Sequence, residues 1–256
     1  MFVIVYLANN INTEWRITFQ YFNLAMVAML VDLIMQYWIG TPKDEGNKPF
    51  ILILTIELVL AVIGLLVGYR IGIYIVVVGY ICGFLLPLLM YDKFQAGQFN
   101  FPHLVERVSL IVIIAFGEAI VNLASYFNSE TPITYAVLLF VSLCSMFASY
   151  VNFSEKIINH HQISKGFILM YSHIAIVVAI LMTTVATIYL NLTKVKLTFV
   201  AWLIVVSIGL YYLALFVNVI YSKNSCHFSK KDITLPILIF IVGAHLFLLY
   251  VRAGWQ

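Results

Sequence analysis

The chain has 256 residues, of which 63% are hydrophobic and 10% charged, and its formal net charge is +3. Typical soluble domains are about 45–50% apolar and about 25% charged, so a soluble fold of this length cannot bury so much apolar surface. We therefore predict an all-α integral membrane protein surrounded by lipid. The 14 basic residues are scattered, which indicates no nucleic-acid partner.

Eight apolar windows predict a polytopic bundle of about seven to eight membrane-spanning helices, since a span needs about 20 largely apolar residues. Residues 1–256 are predicted to form a single integral membrane domain. Residues 1–16 are too short to add a span and lack the features of a signal peptide; we interpret them as the remnant of a preceding helix or a short interfacial segment. The windows cover residues 17–39, 49–68, 71–91, 104–127, 132–153, 166–190, 197–221 and 235–251.

The connections between the windows predict a hairpin and an orientation. Only Tyr69 and Arg70 separate the second window from the third, which indicates a tight antiparallel pair. Lysine and arginine favour cytoplasmic connections, and alternate connections carry eight such residues against five. The set predicted to be cytoplasmic contains Lys43, Lys48, Lys93, Lys156, Lys165, Lys223, Lys230 and Lys231.

The fourth window holds the strongest functional candidate, Glu118, in the segment HLVERVSLIVIIAFGEAIVN from His103 to Asn122. A charged residue at mid-helix costs about 2.5–3.5 kcal/mol on insertion scales. Helices that keep such a residue usually turn it toward a cavity, a partner side chain or a conducted ion. We therefore predict that Glu118 is buried and functional.

A helical projection of this window collects several polar side chains on one face. Arg107 and Glu118 are 11 residues apart, which places them within about 20° of each other around the axis. His103 lies one helical turn before Arg107, Asn122 lies one turn after Glu118, and Ser125 continues the same face. Arg107 and Glu118 cannot pair directly, because 11 residues rise about 16 Å.

Other windows contain further ionisable residues, namely Asp32, Glu57, His173 and His245. Asp32, Glu57, Glu118 and His245 are predicted to form a proton or cation relay if their helices converge. His173 lies near the start of its helix, so we interpret it as a hydrogen-bonded structural histidine. Asn122, one turn beyond Glu118, joins the transport candidates.

Cofactor sites have little support in the sequence. His103 and Glu106 lie three residues apart, but a second histidine four residues from the first, as in a zinc-binding HExxH motif, is missing. The adjacent His160 and His161 fall in a polar connection. A haem between His173 and His245 has no supporting motif, so we predict no cofactor and no metal site.

The segment that begins at His103 resembles the signature of the bacterial low temperature requirement protein A family. The matching residues are His103, Glu106, Arg107, Gly117 and Glu118, and the pair Tyr171 and His173 resembles a second family feature. The resemblance implies a multi-pass bacterial plasma-membrane protein linked to growth in the cold, and it implies no particular reaction. An acidic-aromatic stretch near the start of family members has no match in this chain, so we expect a shortened member or a fragment.

Three functions compete. The first is a secondary transporter or ion pathway for a small solute or ion, with Glu118 as the protonatable group. The second is an intramembrane enzyme acting on a lipid, assisted by a metal at His103, Glu106 and His173. The third is a structural or assembly role in which the polar residues only join helices. We favour transport over catalysis, and the sequence leaves the oligomeric state open.

Overall fold

The computed structural model describes residues 15–40, 45–94, 100–127, 133–190, 195–223 and 230–253. These ranges contain eight α-helices and no β-strand, and a single isolated β-bridge joins Ile158 to Ser222. The helices are α1 (Trp15–Gly40), α2 (Lys48–Val67), α3 (Tyr69–Leu89), α4 (Phe101–Leu123), α5 (Ile133–Asn152), α6 (Phe167–Leu190), α7 (Leu197–Val217) and α8 (Lys230–Ala253).

Each of the eight predicted windows coincides with one helix, which confirms the helical membrane bundle. Of the eight described helices, six are long and apolar enough to cross a membrane: α1, α2, α3, α5, α6 and α7. Charged residues interrupt α4, and the apolar part of α8 spans Pro236–Leu249. The interpretation of residues 1–16 falls almost wholly outside the described residues.

The contacts divide the chain into two compact units, Met1–Gln98 and Phe99–Gln256. In the first unit, α2 and α3 form the predicted hairpin around Gly68, whose φ of +87° favours glycine. Gly64 and Gly72 let the two backbones approach so closely that a side chain on Gly72 would collide with the carbonyl of Gly64. α1 packs mainly against α2.

In the second unit, α6 packs against both α4 and α7, while α5 contacts α4 and α8 contacts α7. The apolar side chains of α4 that face this core recur at helical spacing, as expected for a one-sided helix. They are Phe101, Val105, Val108, Val112, Ala115, Phe116, Ala119 and Leu123.

One end of the second unit is closed by two connecting segments, Phe153–Lys165 and Asn218–Lys223, which we call the cap. The bridge between Ile158 and Ser222 joins them, and the amide of Asn159 donates to the carbonyl of Tyr221 at 2.8 Å. Lys223 adds two bonds of 2.8 Å, from its amide to Ile157 O and from Nζ to Glu155 O. α4 and α6 begin at this end, and α5 and α7 end there.

Candidate functional site

Glu118 is not buried in this fold, which corrects the sequence interpretation. It is exposed on the side of α4 opposite the apolar core residues, together with Gly117. His103 and Arg107 are exposed on the same helix, so we call these four residues the outer face of α4. The apolar stripe of α4 is the side that packs in the second unit, and it leaves the charged stripe outside.

The other members of the predicted relay are divided between the two units. In the first unit, Asp32 is exposed and accepts a hydrogen bond from Gln36 at 2.8 Å, while Glu57 is half-buried on α2. In the second unit, His245 is exposed on α8. Asn122 is half-buried and donates to the backbone carbonyl of Glu118 at 3.0 Å. Among the described residues of each unit, no hydrogen bond or ion pair joins two of these ionisable groups.

The residues proposed for a metal form only a surface pair. His103 Nδ1 lies 3.4 Å from Glu106 Oε2, and both side chains are exposed. Within the described ranges, no three histidine, cysteine or acidic side chains come together as a ligand group. The hypothesis of a metal-assisted enzyme therefore lacks a third metal ligand in the described part of the chain.

Buried polar side chains instead concentrate on α6 and on and just after α7. Eight of the nine buried polar residues described lie in the second unit, and none of those eight is acidic. We call the buried polar residues of α6, of α7 and of the segment just after α7, together with the fully buried Tyr211, the polar seam. Its residues are Ser172, His173, Thr183, Thr184 and Thr187 of α6, and Ser207, Tyr211 and Asn218 on the α7 side.

The most connected part of this interior is the cluster of Ser109, Tyr150 and His173, which we call the Tyr150 cluster. The Tyr150 hydroxyl lies 2.9 Å from Ser109 Oγ and 3.1 Å from His173 Nε2. His173 Nδ1 lies 2.7 Å from the carbonyl of Leu169. Tyr150 and His173 are 2% and 4% exposed. Three helices, α4, α5 and α6, therefore supply one hydrogen-bonded group.

The carbonyl of Leu169 can only accept, so His173 Nδ1 carries a hydrogen. In neutral imidazole the other nitrogen, Nε2, is then an acceptor, while the Tyr150 hydroxyl donates its single hydrogen to Ser109 Oγ. If Nε2 gains a proton, it becomes a donor to the Tyr150 oxygen 3.1 Å away, and the phenol hydrogen stays on Ser109 Oγ. The cluster accepts one extra proton without losing a hydrogen bond.

The seam continues from this cluster in both directions. Toward the cap, Ser172 Oγ lies 2.8 Å from Asn218 Oδ1. Away from the cap, the Tyr211 hydroxyl lies 3.4 Å from Ser149 Oγ, and Ser207 lies one helical turn, about 6 Å, beyond Tyr211.

The far end of the seam is held by α6 and the segment after α4. Thr183 Oγ1 lies 3.1 Å from Ser207 Oγ. The backbone carbonyl of Thr187, one turn after Thr183, accepts a hydrogen bond from the Tyr126 hydroxyl. Polar groups thus recur from the cap to the opposite end of the second unit.

The sequence analysis missed this seam because its residues are neutral, apart from the titratable ring of His173. A usable signal was present: Ser172, Thr183 and Thr187 recur on α6 at intervals of 11 and 4 residues, which keep one helix face. The predicted hydrogen bonding of His173 is found, with both ring nitrogens engaged.

The family model described as bacterial low temperature requirement A protein (LtrA) matches residues 1–254 of this chain. The match includes the His103–Glu118 segment and the Tyr171–His173 segment. No curated protein and no solved structure matches the chain. Because the model matches nearly all of the sequence, the chain belongs to the bacterial low temperature requirement A protein family.

Proposed function

We propose that this multi-pass protein is a secondary transporter or ion pathway of the bacterial plasma membrane, and that the ion is a proton. The proton moves through the interior of the second unit, and His173 is its carrier. The observation that supports this proposal most is the Tyr150 cluster, in which one buried imidazole can gain a proton at Nε2 while the bonds from Tyr150 to Ser109 and from Nδ1 to Leu169 O are kept.

The transfer step is balanced within three side chains. A proton arrives at His173 Nε2, the ring becomes a cation, and Nε2 then donates to the Tyr150 oxygen while the Tyr150 hydroxyl keeps its bond to Ser109. When Nε2 releases the proton along the seam, the ring is neutral again. A buried cation is costly, so the charged ring is a brief intermediate rather than a resting state.

Close packing favours a proton over a larger ion. The seam residues named above are at most 8% exposed, so a hydrated metal ion or an organic solute passes only if α6 and α7 separate. A proton exchanges between hydroxyl and imidazole groups through small rotations. A step such as the one between Tyr211 and Ser207 is too long for direct transfer and requires a bridging water molecule.

A structural role is the alternative that the same bonds favour. Several seam hydroxyls donate to carbonyls of their own helix, as Thr183 does to Ala179 O at 2.9 Å and Thr184 to Ile180 O at 3.0 Å. Serine and threonine commonly do this in helices. Contacts between helices add about 0.6–1.7 kcal/mol each in a membrane, so the seam can serve to hold α6 against α7.

Proton flux into liposomes that contain a trapped pH dye distinguishes the two roles. We expect His173→Gln to lose the flux while the protein stays monodisperse and helical, because a side-chain amide does not take up a proton as the ring nitrogen Nε2 does. His161→Gln, an exposed residue of the cap, is the matched control and keeps the flux. Unchanged flux in His173→Gln with a lowered melting temperature assigns the seam to helix packing.

A further inference from the structure

We propose that Glu57 and Gly83, in the first unit, form a proton-binding site in the interior of the membrane. Glu57 is the tenth residue of α2, about 13.5 Å from the start of the helix. Its side chain is half-buried against α3. The inference concerns the first unit, whereas the Tyr150 cluster belongs to the second, and it stands whether or not the seam carries protons.

The absence of a side chain at Gly83 makes room for the carboxylate. A methyl group placed on Gly83 would lie 2.6 Å from Glu57 Oε2, 2.9 Å from Cδ and 3.2 Å from Oε1. All three distances are too short for ordinary contact. The carboxylate therefore rests on the bare backbone of α3, in a position that every larger residue would occupy.

Tyr80 lies three residues, about one helical turn, before Gly83 on α3. Its hydroxyl donates to Asn23 Oδ1 at 2.7 Å, and Asn23 in turn donates to Phe19 O at 2.7 Å. A phenol has one hydrogen, so Tyr80 has none left for Glu57. No donor reaches this carboxylate among the described residues.

Basic residues do not neutralise Glu57 either. The described basic residues of the first unit all lie at the ends of helices or just beyond them: Arg16, Lys48, Arg70 and Lys93. From α1, Asp32 lies at a similar depth, eight residues before the helix ends, but it is exposed and bonded to Gln36. An unpaired charge at this depth is costly, and a bound proton removes it. Glu57 is thus a carboxyl group that takes up and releases a proton.

Dicyclohexylcarbodiimide, an apolar reagent, tests this directly because it reacts with the acid form of a carboxyl group. The acid proton moves to one reagent nitrogen, the carboxylate oxygen attacks the central carbon, and the acyl group then migrates to the second nitrogen. Nothing leaves, so the labelled peptide gains the full mass of the reagent, and mass spectrometry of the purified protein in detergent locates it.

We expect one adduct, on Glu57, that forms more slowly as the pH rises and is lost in Glu57→Gln. Gly83→Ala displaces the carboxylate and should slow the labelling several-fold. Gly79→Ala is the matched control, because a methyl group there meets Leu60 Cβ at 3.2 Å rather than the carboxylate. Labelling that omits Glu57 in folded protein, or that is equally fast in Gly83→Ala, overturns the proposal.

Discussion

The two sides of the second unit differ in charge and in burial. The outer face of α4 carries His103, Arg107 and Glu118, all exposed, whereas the polar seam is neutral apart from the ring of His173 and is almost fully buried. The charged side chains lie on the exposed outer face, and the hydrogen-bonded neutral ones lie in the packed interior. A buried polar group is tolerated only when it is hydrogen-bonded. A path through this unit is therefore expected to use hydroxyl and imidazole groups.

The largest effect on stability should come from the interior. Tyr211 is fully buried, and its hydroxyl donates to Met146 O at 2.7 Å. Tyr211→Ala leaves a cavity and should lower the free energy of unfolding by about 3–5 kcal/mol, as for other large aromatic truncations. Ile114→Ala, at an exposed position of α4, should cost less than about 1 kcal/mol. Equal losses in thermal unfolding would remove the distinction between the two sides.

Substitutions at two glycines, Gly166 and Gly117, should change the free energy of unfolding by less than Tyr211→Ala does. Gly166 has φ +69°, and a side chain there would collide with Leu104. Gly166→Ala should therefore destabilise the protein by at least about 1–2 kcal/mol. Gly117 on the outer face has open space around it, so Gly117→Ala should be neutral or stabilise α4 by up to about 1 kcal/mol.

Melting temperatures in detergent measure both glycine variants. If Gly117→Ala keeps its stability but changes the oligomeric state, the outer face of α4 contacts a partner. If Gly117→Ala destabilises the protein as much as Gly166→Ala does, the outer face is packed in solution and the contrast drawn above is wrong.

Removing a single hydrogen-bonding hydroxyl of the seam should have the smallest effect on the free energy of unfolding. Thr183→Val and Ser207→Ala should each cost about 0.6–1.7 kcal/mol, the range found for hydrogen bonds between membrane helices. Because the two hydroxyls lie 3.1 Å apart, the double variant should cost less than the sum of the single ones. Strict additivity in thermal unfolding would show that the two residues do not act together.

The helices were predictable because hydropathy fixes membrane spans almost alone. The hairpin at Gly68 also followed from the short connection. The helix starts were less certain: α4 begins at Phe101 rather than near Leu104, with Asn100 as its cap, because the Asn100 side chain accepts from the amide of His103 at 3.5 Å.

The site was harder to predict. The position of Glu118 in the middle of its helix predicted that it is buried. Which face of α4 packs depends instead on the whole apolar stripe of the helix. Tyr150 lies 41 residues from Ser109 and 23 from His173. Only the packing of α4, α5 and α6 brings these three together, and hydropathy carries no information about those contacts.

Proton flux in liposomes, with the outer face and the interior altered in parallel, tests the central claim most directly. Tyr150→Phe removes one interior hydroxyl, Glu118→Gln removes the outer charge, and Tyr189→Phe repeats the first change at a half-buried tyrosine outside the seam. We predict that flux is lost in Tyr150→Phe and retained in Glu118→Gln and Tyr189→Phe. Flux that persists in folded Tyr150→Phe, or that is lost only in Glu118→Gln, would contradict an interior path and favour the outer face of α4.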